Sequence, residues 1–91
     1  MKLEKYLDTE INRKVIRFFL ENPSSIDTSR GIATWINENA DKTEKALQTL
    51  ARAKILILHK TALTSAYACT TDKRTILKIR LRLEQKYKIQ N

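Results

Sequence analysis

From Leu7 to Leu20 the apolar residues fall at positions 7, 11, 15, 16, 18, 19 and 20, the spacing of a helix with a wide buried stripe. Glu10, Asn12, Arg13, Lys14 and Arg17 take the rest of that surface. Pro23 closes the helix, because the residue before a proline disfavours the α region, and Asn22-Pro23-Ser24-Ser25 forms the first turn. A second helix starts near Asp27 or Thr28, short polar side chains that can accept from free first-turn amides. Ile32, Ala33 and Ile36 supply its inward face, with Trp35 beside them. Gly31 lies inside it at a cost of roughly 0.5 to 1 kcal/mol relative to Ala. Two readings fit that glycine: a neutral position, or close approach by a neighbouring helix. After the polar break Asn37-Glu38-Asn39, a third helix starts from Asn39, or from Asp41 with Asp41-x-x-Glu44 as a capping box. Ala46, Leu47, Leu50 and Ala53 form its buried seam, and Lys42, Lys45, Gln48 and Arg52 project on the other side.

Beyond Lys54 the period changes. Ile55-Leu56-Ile57-Leu58 and Ala66-Tyr67-Ala68-Cys69-Thr70 are short β-favouring runs around a polar turn without Gly or Pro, which predicts a hairpin of undefined turn type. Thr71-Asp72 offers a cap for a last segment, Lys73 to Ile89. There Leu77, Ile79, Leu81 and Leu83 alternate with charged residues as in a strand, but the segment is long and rich in helix formers, which favours a helix. On that helix Ile76, Ile79, Leu83 and Tyr87 form one stripe, and Leu77 with Leu81 forms a second. Two stripes imply two neighbours, the domain itself and another chain. Ile76, Ile79, Leu83 and Tyr87 are the expected dimer interface.

Composition narrows the chemistry. The 91 residues suit one small basic domain, organised as a body over 1–72 and a C-terminal basic amphipathic helix over 73–91. With one Gly, a phosphate-cradling loop of the G-x-G-x-x-G type cannot be built, and one Cys with one His cannot complete a structural zinc site or an internal disulfide. No metal, cofactor or small-molecule effector is expected, nor an enzyme with its own deep pocket. No apolar run approaches the roughly 20 residues that span a bilayer, and the N-terminus lacks the core of a signal peptide, so a cytoplasmic protein without membrane contact is expected. If the hairpin turns near residues 62 to 65, His59 faces Ala66 and Cys69 faces Leu56, which keeps the thiol away from a base. Trp35 and the Phe18-Phe19 pair read as core, and the aromatics form no stacking array for single strands. Tyr67 either packs beneath the hairpin or offers its hydroxyl to a phosphate.

The order helix, helix, short turn, helix, hairpin, helix resembles a winged helix-turn-helix domain, mostly α with a small β-hairpin. Residues 7–23 look like the opening helix of ArsR-like and MarR-like transcriptional regulators. Ile26 through Ala33, Ile36, Leu47, Leu50, Ala53 and Ile55-Leu56 resemble the core positions of their helix-turn-helix and the strand that enters the wing. This resemblance implies a recognition helix at about 40–53 in the major groove of double-stranded DNA, a wing at about 55–70 on adjacent backbone, and a homodimer. Under it, Lys42, Lys45 and Arg52 meet phosphates or guanine, Gln48 meets adenine, Thr28 and Ser29 meet a phosphate at a helix N-terminus, and His59 and Lys60 serve the wing. Three departures stand out. Glu38 replaces a small apolar turn residue, Lys54 replaces a glycine after the recognition helix, and wing-tip arginines are missing.

Charge refines the picture. Residues 73–91 hold seven basic side chains against one acidic, whereas residues 1–72 hold eleven against nine. The net charge of +8 therefore marks the last helix and leaves the recognition helix to be argued from placement. The basic, apolar last helix also supports an alternative: a winged-helix protein–protein interaction module docking through its C-terminal helix.

Overall fold

The computed structural model describes residues 3–87, and the side chains of residues 3–85. Five helices and three strands follow in the order α1 (Leu3–Leu7), α2 (Glu10–Glu21), β1 (Ile26–Asp27), α3 (Ser29–Ile36), α4 (Ala40–Arg52), β2 (Leu56–Lys60), β3 (Ser65–Cys69) and α5 (Lys73–Tyr87).

The helix expected from Leu7 is two helices. Thr9 sits in an extended conformation and its side chain accepts from the Asn12 amide at 3.2 Å, so Asp8-Thr9 ends one helix and caps the next. Leu7 closes α1, and it is buried there with Leu3. At the far end Asn22 donates through both backbone and side chain to the Phe18 carbonyl, leaving Pro23 outside the helix. The two alternative helix starts resolve onto Thr28, which accepts from the Gly31 amide at 3.2 Å, and onto Asn39, which accepts from the Lys42 amide at 3.0 Å. Glu44 makes no capping box and turns elsewhere.

Gly31 does have a close neighbour, but not a helix. A Cβ there would meet the Asp27 carboxylate, which is held against the chain by the Thr28 amide. The turn between α3 and α4 places Asn37 in the left-handed region at φ 58°, and Lys54, just past the Ala53 cap of α4, lies there at φ 64°. Asn tolerates that conformation, whereas Lys carries the Cβ penalty a glycine would avoid. Glu38 in the turn is explained by Lys14 of α2, whose ammonium donates to it at 2.7 Å. That contact raises the Lys14 pKa and pins the turn to α2.

The hairpin register pairs His59 with Ala66 and Leu56 with Cys69, which keeps imidazole and thiol apart as expected. Its turn dispenses with Gly and Pro because Thr61 replaces them: its backbone amide donates to the Thr64 carbonyl at 2.8 Å and its hydroxyl oxygen accepts from the Thr64 amide at 3.1 Å. Strand β1 adds a third member, pairing Ile26 with Ala68 and Asp27 with Tyr67, so the sheet order is β1-β3-β2. Two residues carry no periodicity, and this strand is invisible to a pattern search. The central β3 is largely buried, whereas the edge strand β2 is exposed beyond Leu56.

One continuous core joins Leu3, Leu7, Val15, Ile16, Phe19, Ile32, Leu47, Leu50, Ile55, Tyr67, Ile79 and Leu83. Two expectations are corrected by it. Trp35 is not core but 73% exposed, tilted against the Phe18 ring at 6.4 Å; Ile26 is exposed as well. The stripe assigned to a partner chain faces inward: Ile79 and Leu83 are only 2% and 0% exposed within their own chain, and Ile76 packs against the same core. A residue spent on its own core has no surface left for a second subunit. The other stripe, Leu77 and Leu81, stands 57% and 45% exposed. The Tyr87 side chain lies outside the described residues.

Candidate nucleic-acid interface

Helix α4 sorts its side chains cleanly. Thr43, Ala46, Leu47 and Leu50 are buried, and the Thr43 hydroxyl is satisfied by the Asn39 carbonyl at 2.8 Å. Lys42, Lys45, Gln48 and Arg52 are all exposed. Their spacing of three, three and four places them on one arc, one above another along the helix. The same arc carries Asp41, so its charge is locally mixed.

Between α4 and the hairpin runs an open groove of about 360 Å³, lined by Glu44, Gln48, Ala51 and Arg52 from the helix and by Leu58, Lys60, Ser65 and Tyr67 from the strands. The structure therefore gathers Gln48, Arg52 and Lys60 around one concavity. His59 does not join them. Alternation along β2 puts Leu58 and Lys60 on the groove side and His59 on the other face of the ribbon. Thr28 and Ser29 open α3, and only part of each side chain is exposed. The Thr28 hydroxyl oxygen accepts the Gly31 amide and keeps its own hydrogen to donate.

The residue that ties these parts together escaped the sequence pattern. Glu44 accepts the Tyr67 hydroxyl at 2.7 Å and the Gln48 side-chain amide at 2.9 Å, and the Ser29 hydroxyl also hydrogen-bonds to it. Burial pushes its pKa up, but these three donors outweigh burial and leave the carboxyl below its ordinary value. The Tyr67 ring is 1% exposed, and burial together with the Glu44 carboxylate pushes its pKa up to about 12. Both readings of Tyr67 thus resolve into packing beneath the wing, with the hydroxyl spent on Glu44. Ser29 likewise has its hydrogen committed to Glu44, so a phosphate at the start of α3 would meet the Thr28 hydroxyl and backbone amides. The i,i+4 spacing of Glu44 and Gln48 was a legible signal; that the predicted wing strand would bring Tyr67 onto Glu44 was not.

Among the described residues no group of three or more His, Cys, Asp or Glu could hold a metal ion. Cys69 is buried, and burial raises its thiol pKa. No described helix is long and apolar enough to cross a membrane.

The three helices α2, α3 and α4, the tight α3–α4 turn and the β2–β3 ribbon following α4 decide the architecture. The chain has a winged helix-turn-helix fold. Solved structures agree with it at low sequence identity. NolR from Sinorhizobium fredii superposes with a TM-score of 0.71 at 12% identity, over 97% of this chain and 83% of that one. The AntR antimony-specific transcriptional repressor gives 0.69 at 18% identity, over 97% and 78%. A possible transcriptional regulator from Methanosarcina mazei Go1 gives 0.65 at 17% identity, over 97% and 88%. No family model matches the sequence, and no curated protein matches it.

Proposed function

We propose that this winged helix-turn-helix protein binds double-stranded DNA sequence-specifically, as a cytoplasmic homodimeric transcriptional regulator. The observation that carries the proposal is the exposed arc Lys42, Lys45, Gln48 and Arg52 on the helix after the tight turn, continued across the groove by Lys60. An α-helix fits the major groove, where lysine and arginine donate to guanine O6 and N7 or to phosphates, and glutamine matches adenine. The Thr28 hydroxyl and the first amides of α3 suit a phosphate, and the β2–β3 ribbon lies beside the same path. The fold shared with the AntR repressor and the Methanosarcina regulator supports a regulatory role.

In this division of labour residues 1–72 form the DNA-binding body and α5 supplies the subunit contact. The contact is carried by the exposed Leu77 and Leu81, which replace the inward stripe as the dimer face. Two-fold pairing would set two copies of α4 on half-sites about one DNA turn apart.

Selection of bound duplexes from a random pool is the direct test, and a palindromic consensus is the expected result. Affinity is then measured against salt for wild type and for Lys42→Ala/Lys45→Ala. Losing two phosphate contacts lowers the salt slope by about 1.8, from the ~0.9 contributed by each. An unchanged affinity and slope in the double variant would refute the assigned face. The same Leu77–Leu81 stripe would serve the protein-docking alternative, and a monomer without duplex affinity in sedimentation would decide for it.

A further inference from the structure

One of the two carboxylates on α4 is held by the wing. Glu44 lies on α4 one turn before Gln48, and its position is set by a side chain from the wing: the Tyr67 hydroxyl donates to its Oε2 at 2.7 Å from a ring that is buried. The same oxygen receives the Gln48 Nε2 at 2.9 Å. The three donors around it keep this carboxyl ionised at neutral pH. An ionised carboxylate only accepts hydrogen bonds, so Gln48 can meet it through an N–H and never through its carbonyl.

A glutamine on an exposed helix face is otherwise free to turn its amide over, exchanging donor and acceptor. Here one N–H is committed to Glu44, and the second N–H and the carbonyl oxygen are left for a ligand. That donor–acceptor pair complements the N7 and N6 edge of adenine in the major groove. We propose that Glu44 is a positioning residue, held by Tyr67, that fixes the Gln48 amide in one orientation and so makes α4 select adenine at one base position in each half-site. The proposal rests on the DNA-binding reading above. Duplex seated over the groove would exclude water and strengthen the Glu44–Gln48 contact where it matters. Glu44 itself, being anionic, is repelled by phosphate and adds nothing to non-specific affinity.

The test uses the full chain as wild type, Gln48→Ala, Glu44→Gln and Tyr67→Phe, each with its own duplex selection followed by affinities for every single-base change in the consensus. Wild type is expected to prefer adenine at one position per half-site by about tenfold or more, within the range of a bidentate contact. Gln48→Ala removes that preference. Glu44→Gln reduces it to about two- to threefold, because the introduced amide can pair with either end of Gln48. The other positions and the salt slope stay as in wild type, which a loss of folding would not permit. Tyr67→Phe relaxes the same position and carries the test should Glu44→Gln unfold. Full adenine preference in both Glu44→Gln and Tyr67→Phe, lost only in Gln48→Ala, would overturn the positioning role. So would a change in Glu44→Gln at a position that Gln48→Ala leaves alone, since the carboxylate would then be reading a base directly. Failure of wild type to select any duplex overturns the DNA-binding reading instead, and is distinguishable from both.

Discussion

Helices α4 and α5 both carry leucines at helical spacing and cations between them, but they divide their surfaces differently. On α4 every leucine is buried and the exposed side is polar, with three basic residues against two acidic. On α5 the leucines split: Leu83 joins the core with Ile79, while Leu77 and Leu81 stay exposed among six basic residues and one acidic. Net charge therefore lies where the helix is least satisfied, and the aligned candidate contacts lie where charge is nearly balanced. Charge counts locate an electrostatic attraction, whereas placement on one arc locates a site. The polar anchoring differs too. The outer side of α4 is tied to the wing by Glu44 and Tyr67, whereas α5 is held at its start by Asp72, which accepts from Thr75 at 2.7 Å, and to α1 by the Arg82–Glu4 pair at 3.1 Å.

The contrast is sharpest in the cores. Leu50→Ala on α4 and Leu83→Ala on α5 should each cost about 2–5 kcal/mol in urea unfolding, since both side chains are fully buried. A Leu83→Ala cost under about 0.5 kcal/mol, the size of a surface change, would make α5 an appendage instead.

Next in size is the pH response of the α4–wing tie. Tyr67 has a raised pKa, so its contribution is complete below pH 10 and is lost as pH rises towards about 12. Because burial, and then Glu44, keep the phenol protonated from its ordinary 10.0 up to about 12, the unfolding free energy should fall by up to about 2.7 kcal/mol across that alkaline range, a fall that Tyr67→Phe should not show. Glu44 has a lowered pKa, so its share is present above the ordinary carboxyl value and is lost as pH falls through its own. An equal alkaline fall in Tyr67→Phe would place the effect on other groups.

Leu77→Lys/Leu81→Glu should weaken self-association by at least about tenfold, or 1.4 kcal/mol, while folding stability stays within about 0.5 kcal/mol. Sedimentation velocity across concentration reads the first and urea unfolding the second. Lost stability with unchanged association would mean that these leucines serve the chain's own fold. The smallest effect concerns the exit from α4: Lys54→Gly relieves a left-handed lysine and should stabilise by about 1 kcal/mol, seen as a raised Tm.

Much of the fold was legible because its signals are local. Thr28 and Asn39 stood among two candidate caps each, Asn37-Glu38-Asn39 marked the turn, and a hairpin turning near residues 62 to 65 puts His59 opposite Ala66. The exposed arc on α4 followed from the helical period. Strand β1 left no trace, because two residues acquire strand geometry only by pairing with β3. Trp35 misled because hydrophobicity favours burial without enforcing it.

By itself the sequence determined the order of the larger helices and the hairpin, a short choice of cap residues and the polar face of α4, all properties that depend on residues close together in the chain. Tertiary structure decided which apolar stripe of α5 turns inward, that Trp35 stays outside, and that Glu44 meets Tyr67 twenty-three residues away. The reason is physical. A helix with two apolar stripes has two equally valid rotations until α1 and the rest of the core occupy one side. Likewise, Glu44 gains a partner beyond its own helix only when the wing brings a buried hydroxyl to it.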